Sequence, residues 1–87
     1  MIKIVGLSVA GDRALDLSFS DGTSARWHAD DIIARDTVMT RPLADPQNFA
    51  RAFIECGALA WPNGLEFSPD ALHRKLAASG ALLRKAA

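Results

Sequence analysis

The chain holds one thiol, Cys56. A lone cysteine excludes an internal disulfide, and no cysteine spacing of the zinc-binding kind is present. Neither sign of charge is in excess, since ten Lys and Arg balance ten Asp and Glu. A zero balance gives no global attraction to nucleic acid or an anionic membrane. It also offers little repulsion against self-association. No apolar run approaches the ~20 residues needed to span a bilayer. The start, MIKIVGLSVAGD, has one lysine and no long apolar stretch ahead of a cleavage site, so it does not read as a signal peptide. Together these absences lead to the expectation of a cytoplasmic protein.

What is present suits a small packed globule. The 87 residues are enough for one domain, and the hydrophobic share of 49% argues against disorder. A domain of this size buries somewhat over ~60% of its unfolded surface, so its spare stability is limited. No repeat, long linker or low-complexity tract divides the chain.

The first third alternates with period two, as a β-meander does. Val5, Leu7 and Val9 fall on one side of a strand; so do Leu15, Leu17 and Phe19, and then Ala25 and Trp27. The turn FSDGTS admits two registers. A two-residue Asp-Gly loop pairs Leu17 with Arg26 and puts Trp27 on the side of Asp16. A three-residue loop, Ser20-Asp21-Gly22, pairs Leu17 with Ala25 and Leu15 with Trp27, which collects the large apolar residues on one face. Because a one-residue slip flips every side chain, the hydrophobic pattern selects the second register. Gly22 then supplies the left-handed residue that this loop requires. Asp16 and Arg26 become an exposed cross-strand pair.

The stretch LAWPNGLEF repeats the device. With Pro62-Asn63-Gly64 as the loop, Trp61 opposes Leu65 and Leu59 opposes Phe67, all on one face. Pro62 suits the first central turn position and Gly64 the left-handed one. Trp61 is therefore read as core; the competing reading is an aromatic platform for a ligand.

Two helices carry start signals. In ADPQNFARAFIECG, Asp45 is the N-cap, Pro46 the first helical residue, and Phe49, Ala52, Phe53 and Cys56 an apolar stripe stopped by Gly57. In SPDALHRKLAASG, Ser68 caps, Pro69 begins, Asp70 complements the helix dipole, and Leu72, Leu76 and Ala77 face inward until Gly80. Between hairpin and helix, HADDIIARDTVMTRP is read as a helical turn over 31–34 followed by an irregular crossing. The expected fold is α+β: a three-stranded antiparallel β-meander, a helix, a β-hairpin and a C-terminal helix around one core. Residues 1–80 form the single domain, and 81–87 a tail that either frays or adds a helical turn with Leu83 on the apolar stripe.

Reactive groups are few. His28 and His73 lack the spacing of metal ligands and are read as surface or edge residues. Asp30 and Asp31 are neighbours that do not converge on one point. Cys56 has no base nearby in sequence and is read as a small core residue. The serines lack a nucleophile elbow, and Gly6 and Gly11 make no phosphate fingerprint. No catalytic, cofactor or metal residue is assigned. His73, Arg74, Lys75, Arg84 and Lys85 form a basic set, read either as a solvated helix with dipole-matched cations or as a nucleic-acid contact.

The LSFSDG hairpin, the RPLADPQNF helix entry and the block WPNGLEFSPDALH resemble the small bacterial family catalogued as domain of unknown function 2442. The resemblance runs from about Lys3 to Leu76. Its most specific part is Trp61, Pro62, Asn63, Gly64, Pro69, Asp70 and Leu72 in that order. It implies a compact α+β domain, in some members fused to a helix-turn-helix of which this sequence carries no pattern. It also implies an antitoxin-like partnership with a small neighbouring protein, and no catalytic residues to carry over. The expected role is a non-catalytic protein-binding module without a cofactor. DNA-binding autoregulation through the basic C-terminal helix is the alternative, and an enzyme is least expected. A homodimer is expected from the neutral charge and the uncommitted apolar residues Ile2, Ile4, Leu82 and Leu83.

Overall fold

The computed structural model describes residues 1–84. Strands β1 (Ile4–Gly11), β2 (Ala14–Phe19) and β3 (Thr23–His28) form the antiparallel meander, and β7 (Leu83–Arg84) adds to β3, giving the order β1-β2-β3-β7. A second sheet has the order β4-β5-β6, from Phe53–Glu55, Ala58–Ala60 and Glu66–Phe67. Among the described residues three α-helices complete the α+β fold: α1 (Asp30–Ala34), α2 (Pro46–Phe49) and α3 (Pro69–Ala78), with a 3₁₀ turn over Arg41–Ala44 before α2.

Both glycine turns form as the alternation requires. Leu15 faces Trp27 and Leu17 faces Ala25, with Gly22 at φ +87° donating to the Phe19 carbonyl at 3.1 Å. In the second hairpin Leu59 faces Phe67, Trp61 N–H reaches Leu65 O at 2.9 Å, and Gly64 sits at φ +93°. The Asn63 side chain fastens this turn twice: Oδ1 accepts from Leu65 N–H at 3.1 Å, and Nδ2 donates to Met39 O at 3.1 Å. That second bond anchors the crossing segment, whose Thr37 and Thr40 hydroxyls bond each other and each other's backbone N–H.

The inner faces of both sheets meet in one core. Leu15, Leu17, Phe19, Trp27, Ile32, Ile33, Leu43, Phe49, Leu59, Trp61, Leu72 and Leu76 are all buried within it. The indole of Trp61 is packed among Trp27, Phe49 and Phe67, with ring centroids 5.9–6.1 Å away. Its Nε1–H donates to Phe49 O at 3.0 Å, so the polar edge is satisfied where the ring is 2% exposed. Trp61 is core, as its strand pattern implies.

The structure departs from the sequence reading at four places. First, α2 stops at Phe49, and the chain turns into β4 instead of continuing to Cys56. Asp45 does cap the helix, its carboxylate accepting from Gln47 N–H at 2.9 Å. Phe53, expected inside, is 40% exposed, and Cys56 is exposed. The reason is the Cys56-Gly57 pair, at φ +50° and +83° between the partnered Glu55 and Ala58. Two successive positive φ values make a two-residue hairpin loop of the I′ kind. Cys56 bears the steric cost of the left-handed region, so Cys56→Asn is expected to raise the unfolding free energy by about 0.5–1 kcal/mol. Urea denaturation in reductant measures it; an unchanged or lowered midpoint would contradict the turn.

Second, β1 is bulged at Ile4/Gly6 and Val9/Gly11. The first bulge sets Ile4 opposite Phe19 and buries it, while Val5 is left 62% exposed. Third, Ala77 is exposed; α3 otherwise begins at Ser68, whose Oγ accepts from Ala71 N–H, and ends before Gly80 at φ +75°. Fourth, residues 81–84 form no helical turn: Ala81 and Leu82 pack against the core and Leu83–Arg84 pairs with Thr23–Ser24. Of the apolar residues expected to be uncommitted, Ile4 is thus buried, Ile2 and Leu82 are half-buried, and Leu83 is exposed.

Candidate partner-docking surface

The basic set does not make one patch. His73 leaves the solvated face of α3 to lie edge-on against Phe19, ring centroids 5.1 Å apart. Its Nε2 is 2.9 Å from Asp21 Oδ2. Arg84 Nη1 donates to the Asp21 backbone carbonyl at 3.3 Å. Lys75 projects along a different side of the helix, beside Trp27 and Ile32, and Arg74 is exposed. Lys85 lies outside the described residues. His28 is exposed at the end of β3. The charged groups around His73 are therefore split between an acidic turn and a separate groove.

Asp21 is the hub of the first of these. Its Oδ1 accepts from the Thr23 hydroxyl at 2.6 Å and from Thr23 N–H at 3.0 Å. The Thr23 hydroxyl chiefly, then the Thr23 N–H and His73, hold the Asp21 carboxyl down at about 2, against an ordinary value of 3.8. The carboxylate is thus ionised at neutral pH, and His73 Nε2 is the donor. A depressed folded value stabilises the fold above the unfolded value, and that stabilisation is lost as pH falls from about 4 through about 2. Asp21→Asn is expected to flatten the decline in urea midpoint between pH 4 and pH 2. An unaltered acid limb in the variant would remove Asp21 from that role. On the outer face of the meander, Arg26 grips Asp16 with two bonds at 2.9 and 3.2 Å and lowers its carboxyl below the usual range. Both partners are about half exposed, so this pair contributes little to stability.

The second feature is a groove between α1 and α3. Two adjoining hollows, about 220 and 110 Å³, share Trp27, Ile32 and Lys75. The floor is apolar, with Trp27 and Ile32 joined by Leu76 on one side and by Phe67 and Leu72 on the other. Lys75 stands between the two hollows, Arg35 borders the smaller, and Asp31 and His28 border the larger. Among the described residues neither Lys75 nor Arg35 has an ion-pair partner, whereas Arg13, Arg26 and Arg41 pair with Asp30, Asp16 and Asp36. The groove is reached by α1 because Ile32 and Ile33 must be buried, which turns Asp31 and Arg35 to the rim.

A smaller hollow of about 100 Å³ lies beside Trp61, between Leu43, Arg51 and Asn63. Its indole is committed to Phe49 O and to neighbouring rings, which leaves little face for a ligand. Among the described residues no three His, Cys, Asp or Glu side chains group closely enough to hold a metal ion, and no helix is long and apolar enough to cross a membrane. Sequence reasoning placed Lys75 in a basic strip; it missed Arg35 and Trp27 as its neighbours. Only the packing of α1 onto β3 and α3 brings those three together.

The fold and groove define a small α+β domain with an apolar, cation-rimmed surface cleft. No protein-family model, curated protein or solved structure matches the chain.

Proposed function

We propose that the protein is a non-catalytic, cytoplasmic protein-binding module that docks an acidic, partly apolar segment of a partner in the α1–α3 groove. The observation that carries this reading is the pairing of an apolar floor at Trp27 and Ile32 with two cations, Lys75 and Arg35, that lack partners within the described residues. Apolar contacts supply affinity in such a cleft, and complementary charge supplies orientation and specificity. The motif resemblance to domain of unknown function 2442 adds the expectation of a small neighbouring, toxin-like protein as partner, a warrant by analogy.

The alternative is DNA binding by the C-terminal helix. It has less support once His73 and Arg84 are engaged with Asp21, since backbone contact to nucleic acid uses several free cations on one face. Purification of the tagged protein from its native cell, followed by titration of whatever protein co-purifies, tests the proposal. Lys75→Glu with Arg35→Glu is expected to weaken that binding by tenfold or more, with modest dependence on salt. Recovery of nucleic acid alone, with affinity that collapses as salt rises and on substitution of Arg74 and Lys75, would sink the protein-partner reading.

A further inference from the structure

The longest strand among the described residues, β1, has an edge with no strand paired to it. β1 borders β2 on one side, and among the described residues no strand pairs with the other. β4 and its turn pack against β1, where Ile4 N–H donates to Gly57 O at 2.8 Å, but among the described residues no backbone bond reaches Leu7 or Val9 from that side. The remaining sequence, VGLSVAG, contains no charge and no proline. Edges of folded sheets are usually protected by charges, proline or brevity. The other free edges fit that description: β7 is two residues long and holds Arg84, β6 is two residues and holds Glu66, and β4 is three residues and holds Glu55. β1 has only its two bulges, which flank a regular run from Gly6 to Val9.

The backbone groups along this run can be assigned. Phe19 offers its carbonyl to Gly22, within the β2–β3 hairpin. Alternation along an antiparallel strand then turns Leu17 and Leu15 toward β3, and Ser18 and Asp16 toward β1. Gly6 faces Ser18 and Ser8 faces Asp16, so those two residues bond β2. Leu7 and Val9 direct their N–H and C=O groups outward. Their side chains share the core-side face, since they oppose Leu17 and Leu15. Yet Val9 is 48% exposed while Leu15 is fully buried, because the covering elements run out before the edge.

The run is also self-complementary about Ser8. Antiparallel pairing with a copy of itself sets Leu7 against Val9 and Val9 against Leu7, both on the core-side face, with Ser8 against Ser8 and small residues, Gly6 and Ala10, at the flanks. The pair Leu7 and Val9 is the one whose backbone groups point outward, so the same register forms reciprocal hydrogen bonds and covers the exposed valine. An isologous contact of this kind closes on itself and does not propagate. The run from Val5 to Gly11 is uncharged and the chain carries no net charge; the like charges nearest the seam in this register, Lys3 and Arg13, fall outside the run.

We infer that β1 is a homodimerisation edge, at which a second copy of this chain adds antiparallel across a twofold at Ser8 to make one continuous sheet. This surface is separate from the α1–α3 groove, and the inference does not depend on the groove's partner. A short strand pair buries less than the ~1,200 Å² of a standard stable interface, so the dimer is weak and reversible.

Sedimentation equilibrium over about 10 µM to 1 mM, combined with amide hydrogen exchange, tests it. The mean mass is expected to rise from monomer toward dimer. Protection of the Leu7 and Val9 amides should rise with it, whereas the Gly6 and Ser8 amides are protected at every concentration. Val9→Pro removes an outward N–H without touching the β2 ladder, and Val9→Lys places a charge in the seam. Each should shift the transition to at least about tenfold higher concentration, with circular dichroism confirming the fold. A monomer at 1 mM overturns the inference. So does a dimer that both variants leave intact, or one in which the Leu7 and Val9 amides stay unprotected.

Discussion

Replacing Trp61 with alanine is expected to lower the unfolding free energy by roughly 3–5 kcal/mol. The indole is 2% exposed and touches the rings of Trp27, Phe49 and Phe67, which come from β3, α2 and β6. Truncation opens a cavity where these elements join. It also removes the indole N–H bond to the Phe49 carbonyl, which keeps its second donor, Ala52 N–H, at 3.2 Å. Domains of this kind have on the order of 5–15 kcal/mol in total, so the variant sits near the limit of folding. Trp61→Phe keeps most of the volume while removing the indole N–H bond, which is expected to contribute about 0.5–1.5 kcal/mol. Urea denaturation followed by circular dichroism measures both. A loss below about 1 kcal/mol for alanine would contradict the packing and restore Trp61 as a ligand platform.

The second large effect separates two phenylalanines that one helical stripe would treat alike. Phe49 is fully buried against Trp61, and Phe49→Ala is expected to cost roughly 3–5 kcal/mol. Phe53 lies on β4 at 40% exposure, and Phe53→Ala is expected to cost about 1 kcal/mol or less. A continuous helix from Pro46 to Cys56 would bury both and give two large losses. Comparable losses at the two positions would therefore reject β4.

The reason the stripe misleads is local degeneracy. Gly57 after Cys56 fits the end of a helix, which wants a left-handed residue, and it fits equally the second position of a two-residue hairpin loop. Phe49 and Phe53 stand four apart, the spacing of a helix face. The signal that pointed the other way was the aromatic and β-branched pair Phe53-Ile54, two residues before a residue-glycine turn and a second short run. What decides the matter is β5. All three of its residues are buried, and its centre position in a sheet requires partners on both edges. β6 supplies one partner and only Phe53–Glu55 is in reach to supply the other.

The same distinction runs through the candidate surfaces. The hairpins at Gly22 and Gly64, the N-caps Asp45 and Ser68, and the burial of Leu72 and Leu76 follow from residues close together in the chain. Turn chemistry and period-two or helical spacing determine them without distant contacts. The α1–α3 groove, the capture of His73 and Arg84 by Asp21, the pairing of Leu83–Arg84 with β3 and the free edge of β1 are different. Each depends on residues far apart in sequence meeting, and composition cannot say which cation finds a carboxylate and which does not. The sequence alone determined the α+β class, the two glycine-turn hairpin registers and the buried status of Trp61, because those rest on short-range sterics and on one apolar face seeking cover. Tertiary packing alone decided which apolar residues and cations remained at the surface, because that depends on where the covering elements end.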